Sequence, residues 1–283
     1  MTEEVIVLEQ VFKNYGKITA LSGLNLRVAN GEILGLVGPN GAGKTTALRI
    51  MSTLLKPDSG VVQVCGIDAQ TESNKVKRSI GYLPDLPLLY ESLTVFETLK
   101  IFARAWSLQF NKTMGLKLLD EYGLTAVWNR RVKTLSRGQK QRLSLLCAVL
   151  HEPRILLFDE PFTGLDIETR RFLREKVAEF EQAGKTIVIS SDDLGDVENL
   201  CHTIAMITQG KILAQTQLSH EIPPLTKREE EVIKLLAQSK SNKEIAKELY
   251  VSEETVKSHI KSIFRKLGIK SRAEAASYLR QRD

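Results

Sequence analysis

Residues 33–46 read ILGLVGPNGAGKTT and decide the fold of the first part of the chain. The apolar run Ile33–Val37 predicts a buried strand, and the residues after position 43 show a helical pattern. Between them, residues 38–46 have the spacing GxxxxGK[ST], in which small residues let backbone N–H groups turn inward around phosphate oxygens. The helix that follows directs its positive N-terminus at the same place. The segment therefore predicts a nucleotide phosphate site.

The positions of this loop have separate expected roles. The residues expected to contact ATP are Gly38, Pro39, Asn40, Gly41, Ala42, Gly43, Lys44, Thr45 and Thr46. Lys44 is expected to reach the β- and γ-phosphates, and Thr45 to hold Mg²⁺. A second strand run, residues 155–158, ends in Asp159 and Glu160, which are expected to bind Mg²⁺ and to polarise an attacking water, respectively. A chance glycine-rich turn and a strand with a polar end are the alternatives, and finding both motifs in one chain favours ATP with Mg²⁺.

Composition places the chain among ordinary globular proteins, because 42% of its 283 residues are hydrophobic. No stretch approaches the roughly 18 uninterrupted apolar residues of a membrane-spanning helix, so we expect no direct membrane insertion. Cys65, Cys147 and Cys201 lie far apart, without the spacing of a zinc site or a disulfide framework. We interpret them as reduced thiols of a cytoplasmic protein.

The organisation of the chain changes near Gln217. Before it, apolar strand runs alternate with helical patterns, and a helical stretch over residues 93–150 interrupts the strands. We predict an α/β domain with an inserted helical subdomain over residues 1–218. Residues 219–224, with two consecutive prolines, are predicted to be a linker. Residues 225–283 carry helical periodicity throughout, which predicts a small all-α domain.

Charge separates the same two parts. The net charge is +6, and residues 225–283 contain 14 Lys/Arg against 9 Asp/Glu. The other 224 residues carry 26 against 25. The basic excess of the C-terminal part is typical of a domain with a polyanionic partner, although a solvated surface has the same composition.

Two helical runs in this part, residues 242–249 and 252–267, are joined by a short connection. Each run has one apolar face, formed by Ile245, Ala246 and Leu249 in the first and by Val256, Ile260, Ile263 and Leu267 in the second. Two short helices packed through a tight turn predict a helix-turn-helix, whose second helix enters a major groove of DNA. The alternative is a small helical bundle that binds a protein.

Residues 135–143, LSRGQKQRL, resemble the signature segment of the ABC ATPases, and residues 1–215 resemble their P-loop nucleotide-binding domain. Residues 80–99, IGYLPDLPLLYESLTVFETL, are most similar to the drug- and sodium-export branch. The resemblance implies a head-to-tail homodimer, in which Ser136, Gly138 and Gln139 contact the nucleotide held by the other subunit. It further implies that Tyr15 stacks on adenine and that residues 164–166 form the D-loop.

Two positions depart from the pattern of this family. Asp85 stands where a glutamine that contacts Mg²⁺ is usual, and a carboxylate can still serve the metal. Asp192 stands at the position where this family usually has its switch histidine. It places a negative charge at the γ-phosphate, where like charges repel by about 4 kcal/mol at an effective dielectric near 20. We therefore expect ATP binding with slow hydrolysis, with Glu160, Lys44 and Asp192 as the residues that set the rate.

Residues 225–275 resemble the LuxR-type (NarL/FixJ-like) DNA-binding domain in a full series of motifs: LTKREEEV, SNKEIA, TVKSH, KLG and SRAEA. The resemblance implies that residues 252–267 form the recognition helix and that residues 273–279 pair in a DNA-bound dimer. The implied DNA-binding residues are Lys243, Thr255, Lys257, Ser258, Lys261, Arg265 and Lys266. Lys257 is expected to reach base edges, whereas Lys243, Lys261, Arg265 and Lys266 are expected to contact phosphates.

Three functions remain open at this level. The first is a transcriptional regulator in which ATP closes a homodimer over a symmetric DNA site. The second is the ATPase subunit of an exporter that docks on a membrane permease near Asp85 and also controls its own operon. The third is a fusion whose two halves work independently.

Overall fold

The computed structural model describes residues 3–218, 225–238, 240–267 and 275, with side chains in the last helix described as far as residue 264. The chain divides into two compact units, Met1–Leu218 and Ser219–Asp283, and each is described by itself. The strands are β1 (Glu4–Tyr15), β2 (Ile18–Ala29), β3 (Ile33–Val37), β4 (Ser59–Val64), β5 (Ile67–Asp68), β6 (Ile80–Leu83), β7 (Ile155–Phe158), β8 (Thr186–Ser191), β9 (Thr203–Thr208) and β10 (Lys211–Gln217). The helices are α1 (Lys44–Met51), α2 (Ser73–Ser79), α3 (Val95–Ala105), α4 (Lys112–Glu121), α5 (Arg137–Val149), α6 (Ile167–Gln182), α7 (Leu194–Val197), α8 (Lys227–Ala237), α9 (Asn242–Glu248) and α10 (Glu253–Leu267).

The first unit is built on a six-stranded sheet of order β10-β9-β3-β8-β7-β6. The five strands from β9 to β6 run parallel, and β10 joins the edge antiparallel to β9. Strands β3, β7 and β8 are buried along their whole length, as their continuous apolar runs predict. Because their carboxyl ends meet at one edge, the residues that follow them are brought together there.

The two faces of this sheet belong to different hydrophobic clusters. Leu34 and Leu36 face a second sheet of order β2-β1-β4-β5, and the alternate residue Ile33 faces the helices. The second sheet is antiparallel and longer than the sequence indicates, because β1 continues from the predicted run at residues 5–8 to Tyr15. The alternation of buried and exposed side chains along β1 is broken at Gln10, which takes a φ of +48°. The register of β1 against β2 shifts at the same place.

The predicted helical insertion over residues 93–150 is confirmed. It consists of α3, α4 and α5, with short 3₁₀ turns at Thr125–Val127 and Val132–Thr134. Thr94 and Ser136 begin α3 and α5 with capping boxes, in which the side chains at the cap and three residues later satisfy each other's backbone N–H groups. The insertion packs on the sheet face that carries Ile33 and Phe158.

The second unit packs α8, α9 and α10 around one small core, as the helical periodicity predicts. Val232, Ile245, Val256 and Ile263 are buried in it. The capping box of α8 joins Thr226 to Glu229, whose Oε1 also accepts a hydrogen bond from Ser262 of α10 at 2.7 Å. The predicted linker at residues 219–224 and the predicted helix at residues 273–279, except for position 275, lie outside the described residues.

Replacing Thr226 by Ala should destabilise α8 by about 1 kcal/mol, because the amide of Glu229 loses its side-chain acceptor. Native-state hydrogen exchange on the full chain should show roughly fivefold faster exchange of the α8 amides. Ser258→Ala, on the exposed face of α10, serves as the matched control and should leave exchange unchanged. Equal protection in Thr226→Ala and wild type would contradict the role of the cap.

Candidate functional site

A cavity of about 340 Å³ opens at the carboxyl end of β3, where the glycine-rich loop turns into α1. Gly41 and Gly43 take φ values of +80° and +106°, which side chains rarely adopt. A Cβ atom on Gly43 would lie 2.5 Å from the carbonyl oxygen of Ala20. The loop can therefore lie this close to β2 only with glycine at position 43.

The cavity collects residues from four separate parts of the sequence. Its described lining consists of Ile18, Thr19, Ala20, Asn40, Gly41, Ala42, Gly43, Lys44, Thr45, Thr46, Asp85 and Glu160. Most of the predicted loop is in this set. Gly38 and Pro39 are outside it, and their carbonyl oxygens accept hydrogen bonds from Lys44. The start of β2 lines the cavity through Ile18, whereas the predicted Tyr15 pairs with Ile18 across the hairpin and is itself 46% exposed. No motif identified the residues of β2 beforehand.

Lys44 is almost fully buried at the base of the cavity. Its ammonium donates to the carbonyl oxygens of Gly38 at 2.6 Å and Pro39 at 3.3 Å, and lies 3.1 Å from Oε1 of Glu160. Glu160 has a φ of +48°, and its amide donates to the hydroxyl of Ser190 at 3.0 Å. Lys44 and Glu160, two of the three predicted rate-setting residues, are thus in direct contact.

Asp159 is a buried carboxylate that receives three hydroxyl groups. Its Oδ1 accepts from Thr45 Oγ1 at 3.0 Å and from Ser190 Oγ at 2.9 Å, and its Oδ2 accepts from the hydroxyl of Tyr82 at 3.1 Å. Burial, and then the charge of Asp159, raise the pKa of Tyr82, so the phenol stays a neutral donor. Sequence reasoning identified Thr45 and Asp159 but missed Tyr82 and Ser190, which occur in no motif that points to them.

Asp85 reaches the same cavity from the segment after β6. Its Oδ1 is buried and has no hydrogen-bond partner among the residues that the structure describes. Burial raises the pKa of this carboxyl, the charge of Asp159 raises it further, and Arg137 lowers it. Carboxylate oxygens and the Thr45 hydroxyl are hard ligands, so Thr45, Asp85 and Asp159 fit a Mg²⁺ ion chemically.

Asp192 lies beside the phosphate loop, just past the end of β8. Its Oδ2 accepts from the side-chain amide of Asn40 at 3.4 Å. Since Asn40 lines the cavity, this carboxylate adds negative charge at the cavity's rim.

The other predicted nucleotide contacts lie at the start of α5. Ser136 accepts from the amide of Gln139 at 3.2 Å, and the side chain of Gln139 accepts from the amide of Ser136 at 3.0 Å. Gly138 is buried against Thr169, whose Oγ1 would lie 2.3 Å from an added Cβ. These three residues are outside the described lining of the cavity in their own chain.

The second unit places the predicted DNA-binding residues on α9 and α10. Lys243, Thr255, Lys257, Ser258 and Lys261 are exposed, while Val256 and Ile263 hold the other side of α10 in the core. The hydroxyls of Ser252 and Thr255 are 2.8 Å apart at the start of α10, and Lys257 forms an exposed ion pair with Glu254 at 3.2 Å. The side chains of Arg265 and Lys266 lie outside the described residues.

Comparison with known proteins assigns the first unit. The family profile described as ABC transporter matches residues 21–163, half of the chain. The chain belongs to the ABC transporter ATP-binding family. The Nod factor export ATP-binding protein I of Paraburkholderia xenovorans is 35% identical over 217 residues, which cover 76% of this chain and 71% of that protein. The ABC transporter ATP-binding protein NatA of Bacillus subtilis is 36% identical over 199 residues, 69% of this chain and 81% of the relative.

The ABC cassette is also recognisable in three dimensions. The dimeric post-hydrolysis structure of the ATP-binding cassette MJ0796 with ADP and Pi superposes with a TM-score of 0.69 at 27% identity, covering 75% of this chain and 98% of that one. A second family profile, bacterial regulatory proteins of the luxR family, matches residues 223–279. The protein is thus an ABC ATP-binding cassette with a LuxR-type DNA-binding domain. Within the described part of the chain, no helix is both long and apolar enough to cross a membrane.

Replacing Ser190 by Ala should destabilise the ABC cassette by about 2–3 kcal/mol, because the buried Glu160 amide and the Asp159 carboxylate each lose a partner. Both tryptophans of the chain, Trp106 and Trp128, lie in the cassette, so urea unfolding followed by tryptophan fluorescence reports on this unit. Ser52→Ala is the control, since among the residues that the structure describes that hydroxyl bonds only the carbonyl of Arg49, three residues before it. A loss no larger than that of the control would show that Ser190 does not hold the site.

Proposed function

We propose that this protein is a nucleotide-gated transcriptional regulator: an ABC cassette that binds ATP, hydrolyses it slowly and controls DNA binding by its LuxR-type domain. The observation that carries the proposal is the presence, in one chain, of a formed phosphate cavity and an exposed recognition helix. Each unit has a hydrophobic core of its own.

ATP and Mg²⁺ are the proposed ligands of the cassette. The backbone of residues 38–46 and the Lys44 ammonium supply the cradle for the phosphates. Thr45, Asp85 and Asp159 are the proposed holders of Mg²⁺, which when bound neutralises phosphate charge. Tyr82 and Ser190 keep Asp159 in place through the hydrogen bonds described above.

A head-to-tail homodimer is the proposed active form. Support comes from the position of Ser136, Gly138 and Gln139 at the N-terminus of α5, outside the described cavity lining of their own chain. The related cassette MJ0796 is dimeric. Two subunits would bring two recognition helices over symmetric half-sites, about 34 Å apart for one turn of DNA.

The proposed DNA contacts follow from the exposed face of α10 and from Lys243. Lys257 is the proposed base-reading residue, and the exposed pair that it forms with Glu254 is worth only about 0–1 kcal/mol, so DNA can replace it. Lys243, Lys261, Arg265 and Lys266 are proposed to contact phosphates, which gives affinity and salt dependence.

Slow hydrolysis is proposed from the charge around the cavity. Asp192 adds a carboxylate beside the phosphate loop, where a γ-phosphate is already repelled by Glu160 and Asp85. A carboxylate that stays ionised cannot donate a hydrogen bond to phosphate.

A second function is favoured by the relatives, one of which is named as an export protein. The segment after Asp85 exposes three large apolar side chains, with Leu86 64%, Leu88 79% and Tyr90 64% accessible. Such a patch suits a protein partner, so the chain could be the ATPase subunit of an exporter that docks there and also controls its own operon. Co-purification of a membrane permease with the full chain, lost on Leu88→Glu, would favour this alternative.

Asp192→His should raise the rate of ATP hydrolysis roughly tenfold or more, because removing the repulsion and adding a donor each contribute over 1 kcal/mol. Phosphate release measured with saturating ATP and Mg²⁺ provides the rate. Asp193→His is not a clean control because Asp193 caps α7, and Asp196 pairs with Arg170 and Arg174, so Glu198→Gln is used instead. Glu198 is exposed, and its side chain has no hydrogen bond or ion pair among the described residues. Unchanged turnover in Asp192→His would remove the basis for expecting slow hydrolysis.

Gating is tested by DNA selection and gel shift with and without ATP and Mg²⁺. ATP should tighten specific DNA binding by the wild type, and Lys44→Ala should abolish this response while keeping the basal affinity. DNA affinity that is independent of ATP in both proteins would mean that the two units act separately.

The role of the recognition helix has its own test. Lys257→Ala should lose roughly 1–3 kcal/mol of discrimination between operator and competitor DNA. Lys261→Ala, also exposed on α10, should weaken both complexes to a similar extent and keep the preference. Full sequence preference in Lys257→Ala would contradict the assignment of base reading to this residue.

A further inference from the structure

Arg137 links the first turn of α5 to the loop that follows Glu160. Its Nη2 donates a hydrogen bond to the carbonyl oxygen of Thr163 at 2.8 Å. Its guanidinium also occupies the space beside Gly164, where an added Cβ would lie 2.3 Å from Nη1. Gly164 has a φ of +65°, a backbone conformation that favours glycine. The guanidinium therefore packs directly against the turn at Thr163 and Gly164.

Thr163 carries this contact onward to Glu160. Its hydroxyl donates to Oε2 of Glu160 at 3.2 Å, and its amide donates to the carbonyl of Glu160 at 3.2 Å. Glu160 has the left-handed φ of +48°, which costs a non-glycine residue roughly 1–3 kcal/mol and persists only where the surroundings enforce it. The turn that Arg137 holds is one of those surroundings.

The other carboxylate oxygen of Glu160 is the one that lies 3.1 Å from the Lys44 ammonium. A continuous series of contacts thus runs from Arg137 through Thr163 and Glu160 to the phosphate loop. Arg137 therefore acts on the Glu160 carboxylate through Thr163, by its one hydrogen bond to the Thr163 carbonyl.

We propose that Arg137 is a positioning residue for the Glu160 carboxylate and acts through Thr163. The inference rests on the proposed function, in which Glu160 polarises the water that attacks ATP. Cutting the series at Arg137 or Thr163 leaves the other residues of the cavity lining in place but frees the Glu160 side chain to rotate. Hydrolysis then becomes slower while nucleotide affinity is kept.

The test uses the full chain with Arg137→Ala, Arg137→Lys, Thr163→Val and the double variant Arg137→Ala/Thr163→Val. Arg171→Ala is the matched control, since Arg171 is exposed on α6 and forms one surface pair with Glu175. Single-turnover hydrolysis of labelled ATP gives the rate even where turnover is slow, and a fluorescent ATP analogue gives the dissociation constant. Thermal unfolding confirms that each variant is folded.

Arg137→Ala and Thr163→Val should each slow hydrolysis roughly tenfold, because each removes one hydrogen bond that involves a charged group. The dissociation constant of the ATP analogue should be unchanged. The double variant should be no slower than the slower single variant, because both changes break the same series. Arg137→Lys should recover part of the rate, since an ammonium can still donate to the Thr163 carbonyl. The Arg171→Ala control should match the wild type.

Several outcomes would overturn the proposal. Wild-type rates in both single variants, or additive losses in the double variant, show that Glu160 is not held in this way. Weaker ATP binding in Arg137→Ala alone assigns the guanidinium to the nucleotide itself. If the wild type binds ATP without hydrolysing it, the positioning role of Arg137 is refuted, because Glu160 then polarises no water. Nucleotide-gated DNA binding would still be possible. Conversely, DNA binding that ignores ATP refutes the gating and leaves the role of Arg137 intact.

Discussion

The buried carboxylate of Asp159 is the interaction on which the rest of the nucleotide site depends. Three hydroxyl groups converge on it, from Thr45 on α1, Tyr82 on β6 and Ser190 on β8. An unpaired buried charge would be very unfavourable, so these donors are a condition for placing Asp159 at the end of β7. By satisfying it, they hold together the carboxyl ends of three parallel strands and the first turn of the phosphate-loop helix. The floor of the cavity is therefore fixed by contacts within the protein.

The charges around that cavity are the basis of the proposed balance between ATP binding and ATP hydrolysis. Lys44 is the cation at its base, and Asp85, Glu160 and Asp192 place carboxylates in or beside it. The Lys44 ammonium donates to two carbonyl oxygens and lies 3.1 Å from Oε1 of Glu160. Phosphate binding has to compete with this arrangement, and a divalent cation offsets the negative charge. The number of carboxylates around the cavity is the basis on which we propose slow hydrolysis.

The C-terminal unit is organised by a buried acid of its own. Glu229 caps its own helix with Thr226 and accepts a hydrogen bond from Ser262, which ties α8 to the recognition helix. The side of α10 that carries Val256 and Ile263 is thereby fixed in the core, and the opposite side is left exposed with Lys257 and Lys261. The DNA contacts that we propose would be made by the long side chains on this exposed side, some to phosphates and one to base edges.

The sequence by itself determined the local chemistry: the phosphate loop at residues 38–46, the acidic pair that follows β7, the capped helices and the apolar faces of α9 and α10. These follow from spacing and periodicity, which are properties of neighbouring residues. Tertiary structure alone decided that Tyr82 and Ser190 serve Asp159, that Ile18 lines the cavity and that Arg137 holds Thr163. Each of these contacts joins residues that are far apart in the sequence. Strand order in the sheet, which no local pattern encodes, brings Tyr82 and Ser190 within hydrogen-bonding distance of Asp159, and the packing of β2 and α5 places Ile18 and Arg137.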